Sequence, residues 1–255
     1  MKFIDWIAIL GALAWTPHLI SVIRSYLTKS EVRIITQKTA EIGFTSLGPI
    51  LNMRVAFSVK NHDIVVSNFR IRLKHESGEE KLFEWQGIRQ SLGKMDTADG
   101  PIPYEKENSV LAIKLNLKEI EERLIQCQEV SFISDKRLVE EKAVKRLAFE
   151  KEKEGFEPFE FLKCEEMSDI YNFIKHAFSW KSGLYTAEIL VESPEKYNLS
   201  GNVFQFRLTP IDIEFLEKNK DGIEQYYRND LIGAKHDKYK DVVWNWRNPN
   251  VTPVA

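Results

Sequence analysis

The first apolar stretch of the chain is long enough to cross a bilayer. No side chain between Trp6 and Ile23 carries a fixed charge, and a helix rising about 1.5 Å per residue spans nearly the whole ~30 Å hydrocarbon core with such a run. Aromatic and basic side chains near its ends suit the two headgroup regions. The pattern predicts a transmembrane anchor over residues 1–28, with membrane-anchor roles for Trp6, Pro17, His18, Arg24, Tyr26 and Lys29.

Three other interpretations of this stretch stay open. Ala12 and Ala14 form the small-x-small pattern of a signal-peptide cleavage site, although Asp5 lies in the part that is normally basic. A helix lying on the membrane surface needs a charged face, which this run lacks. A helix buried in a soluble core would be divided by Pro17 and His18.

The flanking charges indicate how such an anchor is oriented. Arg24, Lys29, Arg33 and Lys38 follow the apolar run, whereas only Lys2 precedes it. Basic residues favour the cytoplasmic side, so we expect a single-pass protein of the cell membrane with the bulk of its chain cytoplasmic. The two cysteines form no CxxC pair and no disulfide framework, which is compatible with a reducing compartment.

The remainder of the chain is dominated by strand-like alternation. Apolar and polar residues alternate through 53–60, 68–75 and 203–208, and turn residues separate these runs. Because no regular strand–helix–strand order occurs, we predict an antiparallel β-sandwich of immunoglobulin-like type over residues 49–255. Residues 29–48 are expected to form a linker or a first edge strand.

Helical patterns occur at three places after the anchor. Residues 118–128 repeat apolar side chains at helical spacing, and the highly charged residues from 135 to about 179 predict a helical insertion between strands. Thr209, Pro210 and Asp212 have the spacing of a capping box at the start of a further helix. We expect residues 87–104 to form a loop.

Composition and motifs give little indication of catalysis. A hydrophobic content of 43% and a net charge of −2 are ordinary for a folded domain. The sequence has no GxSxG, P-loop, GxGxxG or HExxH motif, so we expect no catalytic residues, no metal site and no cofactor. Cys164 and His176 form a candidate thiol–base pair, but a buried structural cysteine is the simpler interpretation.

One row of basic residues is a candidate binding surface. Arg70, Arg72 and Lys74 alternate on the outward side of one predicted strand, and Arg54 and Lys60 lie on another that we expect to be its neighbour. Together they form a candidate anionic-ligand patch. An ordinary solvated sheet face, or an edge guarded against pairing, gives the same pattern. Nucleic acid is not expected as a partner, because no aromatic residues interleave with the row.

These features favour a membrane-tethered, non-enzymatic recognition or scaffold module acting at the cytoplasmic face. Its expected partners are the lipid bilayer and either a protein or a second copy of the chain. An alternative is a membrane effector, whose associated helices disrupt or permeate the bilayer when the cytoplasmic domain senses a ligand. Thr16, Pro17 and His18 in the middle of the run are the residues that such a helix bundle would use. A hydrolase of unrecognised type is a third possibility.

Overall fold

A computed structural model describes residues 15–20, 22, 28–97, 100–108, 112–233 and 236–254. The strands in these residues are β1 Ser30–Thr36, β2 Glu41–Thr45, β3 Gly48–Lys60, β4 Ile64–Val66, β5 Asn68–His75, β6 Glu80–Thr97, β7 Gly100–Asn108, β8 Ile113–Leu115, β9 Ile120–Glu129, β10 Gly183–Glu192, β11 Tyr197–Ser200, β12 Val203–Leu208 and β13 Thr252–Pro253. The α-helices are α1 Val130–Lys151, α2 Pro158–Phe161, α3 Glu165–His176, α4 Pro210–Glu217 and α5 Ile223–Ile232, and a 3₁₀ helix, Lys218–Gly222, links the last two.

The described strands form one large sheet and one small pair. Eleven strands follow the order β11-β1-β3-β9-β6-β5-β10-β12-β13, with β2 added to β3 and β7 added to β6, while β4 pairs with β8. All pairings are antiparallel except that of β1 with β11. The prediction of a mainly β domain with helices is confirmed. Most of the described strands belong to a single curled sheet. An immunoglobulin-like sandwich would instead divide them between two sheets of similar size.

The strand alternation of the sequence corresponds to the two faces of this sheet. In β3 the side chains of Met53, Val55 and Phe57 are buried, and those between them are half-buried. The same alternation in β5 buries Phe69 and Ile71. Successive side chains of a strand point to opposite faces, so strands such as β1, β3, β5, β10 and β12 contribute apolar residues to one shared core.

Three helices occupy the segment between β9 and β10. The long helix α1 begins at Val130, five residues before the predicted insertion. Its Phe132 packs on Gly48, where a Cβ atom would lie 2.5 Å from the ring, and stacks with Phe173 of α3 at 5.4 Å between centroids. These contacts attach the helices to the end of the sheet that carries the β2–β3 turn.

Two local predictions were wrong. Residues 118–128 are not helical, because Ile120–Glu129 forms β9 between β3 and β6. Residues 87–104 are not a loop, since they contribute to the β6–β7 hairpin. In both cases pairing with distant strands outweighs the local pattern.

The predicted anchor lies mostly outside the described residues, as do its Trp6, Arg24 and Tyr26. Residues 15–20 and 22 are helical, and Pro17 and His18 are exposed there. Among the described residues, no helix has both the length and the apolar character that crossing a membrane requires. Residues 29–48 contain β1, which lies between β3 and β11, and β2, which pairs with β3.

Candidate ligand-binding cleft

The C-terminal strap, residues 241–254, crosses the domain beside β2. Its backbone pairs with β2: Ile42 donates to the Arg247 carbonyl at 2.8 Å, and Arg247 donates back to the Ile42 carbonyl at 2.9 Å. Val251 donates to the carbonyl of Lys38 at 2.7 Å. These hydrogen bonds hold the strap in a defined register.

The side chain of Asn219 holds the strap in place by hydrogen bonds. This residue of the 3₁₀ helix is only 2% exposed, and its Nδ2 donates to the carbonyls of Phe44 and Asn245, both at 2.8 Å. Its Oδ1 accepts from the backbone and side-chain amides of Asn245 at 2.7 and 2.9 Å. One buried side chain therefore joins β2, the 3₁₀ helix and the strap.

An ion pair at the start of α4 is a second contact that holds the strap. Asp212 accepts from Arg247 Nε at 2.5 Å and also caps its own helix by accepting from Thr209. Burial opposes ionisation of this carboxyl, but the Thr209 hydrogen bonds and the Arg247 charge prevail and lower the pKa of Asp212. The ion pair fixes the strap residue that follows Trp246.

Two strap tryptophans are thereby placed next to the sheet. Trp246 lies against the backbone of Gly43, where a Cβ atom would come within 2.3 Å of its ring. Trp244 packs near Gly222 and is 6.2 Å from the ring of Tyr226 on α5. Only a glycine at position 43 leaves room for Trp246 in this place.

Amide side chains on the polar face of the sheet lie opposite these rings. Asn52 of β3 is the direct register partner of Gln126 of β9, and Gln128 follows two residues later on the same face. The register of β6 with β9 shifts between Trp85 and Gly87, so Gln86 is an extra residue next to the pairs Trp85–Cys127 and Gly87–Gln126. The sheet thus presents several amides side by side.

The rings and the amides enclose a cleft of about 380 Å³. It is lined by Thr45, Ser46, Leu47, Ile50, Asn52, Gln86, Gly87, Gln126, Cys127, Gln128, Tyr226, Trp244 and Trp246. None of these residues is acidic or basic at neutral pH. The Cys127 thiol stays protonated, because burial and the negative charge of Glu84 raise its pKa. A volume of this size holds a small molecule.

Asn52 carries an unused hydrogen-bond acceptor at this cleft. Its side chain is 6% exposed, and Nδ2 donates to Glu41 Oε2 at 3.3 Å. Its Oδ1 is buried and has no hydrogen-bond partner in the described residues. Buried polar atoms are nearly always paired, so an unpaired amide oxygen beside a cleft marks a place where a donor from a ligand fits.

The predicted basic row forms a ladder of ion pairs in the structure. Arg72 bonds Glu188 of β10 at 2.9 Å, Lys74 bonds Glu80 of β6 at 3.2 Å, and Arg70 pairs with Glu192. Each cation of β5 therefore has a carboxylate partner on a neighbouring strand, an arrangement that offsets its charge.

Arg54 and Lys60 do not extend this row as the sequence suggested. Both lie on β3, and β9 and β6 separate β3 from β5. Lys60 is the register partner of Glu31 on β1. The five residues of the candidate anionic-ligand patch are thus divided between two separate parts of the sheet.

The other sequence-derived candidates do not assemble into a site. Cys164 precedes α3 and His176 ends it, which places them about 18 Å apart along the helix axis. Burial, with Glu166 nearby, raises the pKa of the Cys164 thiol. In the described ranges, no three His, Cys, Asp or Glu side chains are grouped as a metal site would need.

Sequence reasoning missed the residues of the cleft. The strap has neither strand nor helix periodicity in the sequence, and the amides resemble an ordinary solvated strand face. The available signal was Trp244-Asn245-Trp246, two large aromatic residues in an otherwise polar segment.

Comparison with known proteins does not supply a function for this cleft. No protein-family model, curated protein or solved structure matches the chain. Its chemistry is therefore argued from its own side chains.

Proposed function

We propose that the chain is a membrane-tethered, non-enzymatic recognition module that binds a small, flat, uncharged group in the cleft. The observation that carries the proposal is the buried, unpartnered Oδ1 of Asn52 in an amide floor opposite tryptophan rings. Amides fix a planar polar group by directed hydrogen bonds, and aromatic rings stack on its face. Neither side-chain type transfers protons near neutral pH, so the lining favours binding over catalysis.

The tether is supported by the sequence and by the few described residues near it. Trp15, Leu19 and Ile20 are helical and each exposes more than half of its surface. Lys29 follows the segment and is held at the edge of the domain, where its carbonyl accepts from Asn61 Nδ2 at 2.8 Å. An uncovered apolar helix joined to a folded domain suits insertion into lipid, and the basic flank suits a cytoplasmic domain.

Ligand screening of the full-length chain in detergent tests the cleft. We expect at least one class among nucleosides, neutral sugars and amino-acid amides to raise the melting temperature. Gln126→Ala and Trp246→Leu should each remove that shift, because one loses a hydrogen-bonding edge and the other a stacking surface. The readout is thermal unfolding followed by tryptophan fluorescence.

Gln205→Ala is the matched control for Gln126→Ala. Gln205 is also a half-buried amide on the sheet, but it lies on β12 and bonds Thr186 at 3.0 Å. The control should keep the ligand-induced shift. A shift that survives both cleft variants, or no shift with any class, would refute the cleft as the binding site.

A second candidate is the membrane effector. The observation that favours it is the exposed position of Pro17 and His18 within a helix of apolar residues. A polar side chain in hydrocarbon needs a partner from another helix or from water, which a helix bundle supplies.

Replacing Thr16, Pro17 and His18 together by leucine separates the two candidates. A tether requires only apolar surface, so we expect the triple variant to stay in the membrane fraction with an unchanged effect on membrane potential and growth. The measurements are carbonate extraction and a potential-sensitive dye in expressing cells. If the wild-type chain collapses the potential and the well-inserted variant does not, the effector function replaces the tether.

A further inference from the structure

A second depression adjoins the cleft at the start of α1. It has a volume of about 250 Å³ and is lined by Leu47, Gln128, Phe132, Ile133, Lys136, Arg137 and Glu140. Leu47 and Gln128 line both spaces, so the two are neighbours. We call this second space the basic groove, because two of its three charged residues are cations.

The charges of the basic groove are not fully paired within the protein. Lys136 Nζ lies 3.1 Å from Glu140 Oε1, and Glu140 also accepts from the Tyr227 hydroxyl at 2.7 Å. Arg137 is exposed and makes no hydrogen bond or ion pair with the part of the chain that the structure describes. A guanidinium with free donors bonds phosphate oxygens in pairs.

The cleft and the basic groove together suit different parts of one molecule. The amide floor and the rings fit a flat base with polar edges, because asparagine and glutamine pair with the N6 and N7 edge of adenine and bases stack on aromatic rings. The unpartnered Asn52 Oδ1 accepts from a donor such as an exocyclic amino group. The O6 and N7 edge of guanine is instead bonded most often by arginine or lysine, and no charged side chain is among the described lining of the cleft.

We propose that the ligand is an adenosine nucleotide, with its base in the cleft and its phosphate in the basic groove on Arg137. This inference rests on the proposed function, since it names the ligand of the same cleft. It accounts for two features at once, the buried acceptor of the amide floor and the unpaired cation next to it. A neutral sugar or an amino-acid amide uses only the first.

Calorimetric titration of the full-length chain in detergent tests the assignment. The probes are AMP, adenosine, GMP and ribose 5-phosphate. We expect AMP to bind at least about tenfold more tightly than adenosine, because the phosphate adds a charge-assisted hydrogen bond. GMP and ribose 5-phosphate should bind more weakly than AMP, since one presents the wrong base edge and the other has no base.

Arg137→Ala should bring AMP to the affinity of adenosine and leave adenosine unchanged. Arg137 is exposed and makes no hydrogen bond or ion pair with the described residues, and only its charge acts on the exposed Glu141, so folding should be little affected. Lys142→Ala is the matched control, because Lys142 is exposed on the same helix and does not line the groove. It should alter neither affinity.

Each of the other possible results would reject a specific part of the proposal. If AMP binds equally with and without Arg137, the phosphate position is wrong, and if ribose 5-phosphate matches AMP, the base position is wrong. If none of the four probes binds while a sugar or an amino-acid amide shifts melting in a Trp246-dependent way, the recognition function stands and the nucleotide is rejected. If nothing binds, both are rejected.

Discussion

Replacing Asn219 by alanine should lower the free energy of unfolding by about 3–5 kcal/mol and abolish ligand binding. The change removes four hydrogen bonds that are 2.7–2.9 Å long. The Phe44 carbonyl then loses its partner in a buried setting and the Asn245 amide in a half-buried one, and an unpaired buried group costs about 1–3 kcal/mol. The strap would also lose the support that places Trp244 and Trp246 at the cleft.

Urea unfolding of the full-length chain, followed by circular dichroism, measures the first effect, and the ligand titrations measure the second. Asn198→Ala is the matched control, since Asn198 is exposed on β11 and makes no hydrogen bond through its side chain in the described structure. We expect a change below about 0.5 kcal/mol for this variant. An Asn219 variant as stable as the control would show that the strap is held by other contacts.

Replacing Phe206 by alanine should lower the free energy of unfolding by about 3–5 kcal/mol, because it removes packing from the core. Phe206 is 2% exposed on β12 and stacks on Tyr185 of β10 at 5.2 Å between ring centroids. Truncation removes buried apolar surface and leaves a cavity that close-packed strands fill only in part.

The same unfolding measurement applies, with Phe149→Ala as the control. Phe149 is 62% exposed on α1, so its truncation should cost less than about 1 kcal/mol. Because Phe206 is not among the described residues that line the cleft, the folded fraction of its variant should bind ligand normally. Equal losses in the two variants would contradict the inward orientation of Phe206.

Much of the fold was predictable wherever a single local rule decides the structure. Period-two alternation identified β5, β12 and the second half of β3, because one face is buried there and the other is more exposed. The capping box was also correct, since Thr209 and Asp212 bond each other's backbone amides at the start of α4. Both patterns depend on neighbours within a few residues.

The failures concern segments whose structure depends on distant partners. The apolar residues of 120–129 fit a helix by spacing, but pairing with Met53 and its neighbours, about 70 positions earlier, makes this segment a central strand. The arrangement of the strands into one sheet follows from such pairings and has no local signal.

The candidate site could not be predicted for the same reason. Arg72 looked like a free cation because its partner Glu188 lies 116 residues away in the sequence. The cleft joins amides of β3 and β9 to a strap at the end of the chain, and only the register of Asn52 with Gln126 and the Gly43–Trp246 contact bring them together. Amides on a strand face otherwise resemble solvated surface.

The most direct test of the cleft is a ¹H–¹⁵N spectrum of the full-length chain in detergent during titration with adenosine. We expect the indole signals of Trp244 and Trp246 and the side-chain amide signals of Asn52 and Gln126 to shift together and to saturate at one ligand concentration. The amide signal of Gln205, outside the cleft, should stay in place. If adenosine binds by calorimetry and yet leaves the indole and cleft amide signals unmoved at saturation, the cleft is not its binding site.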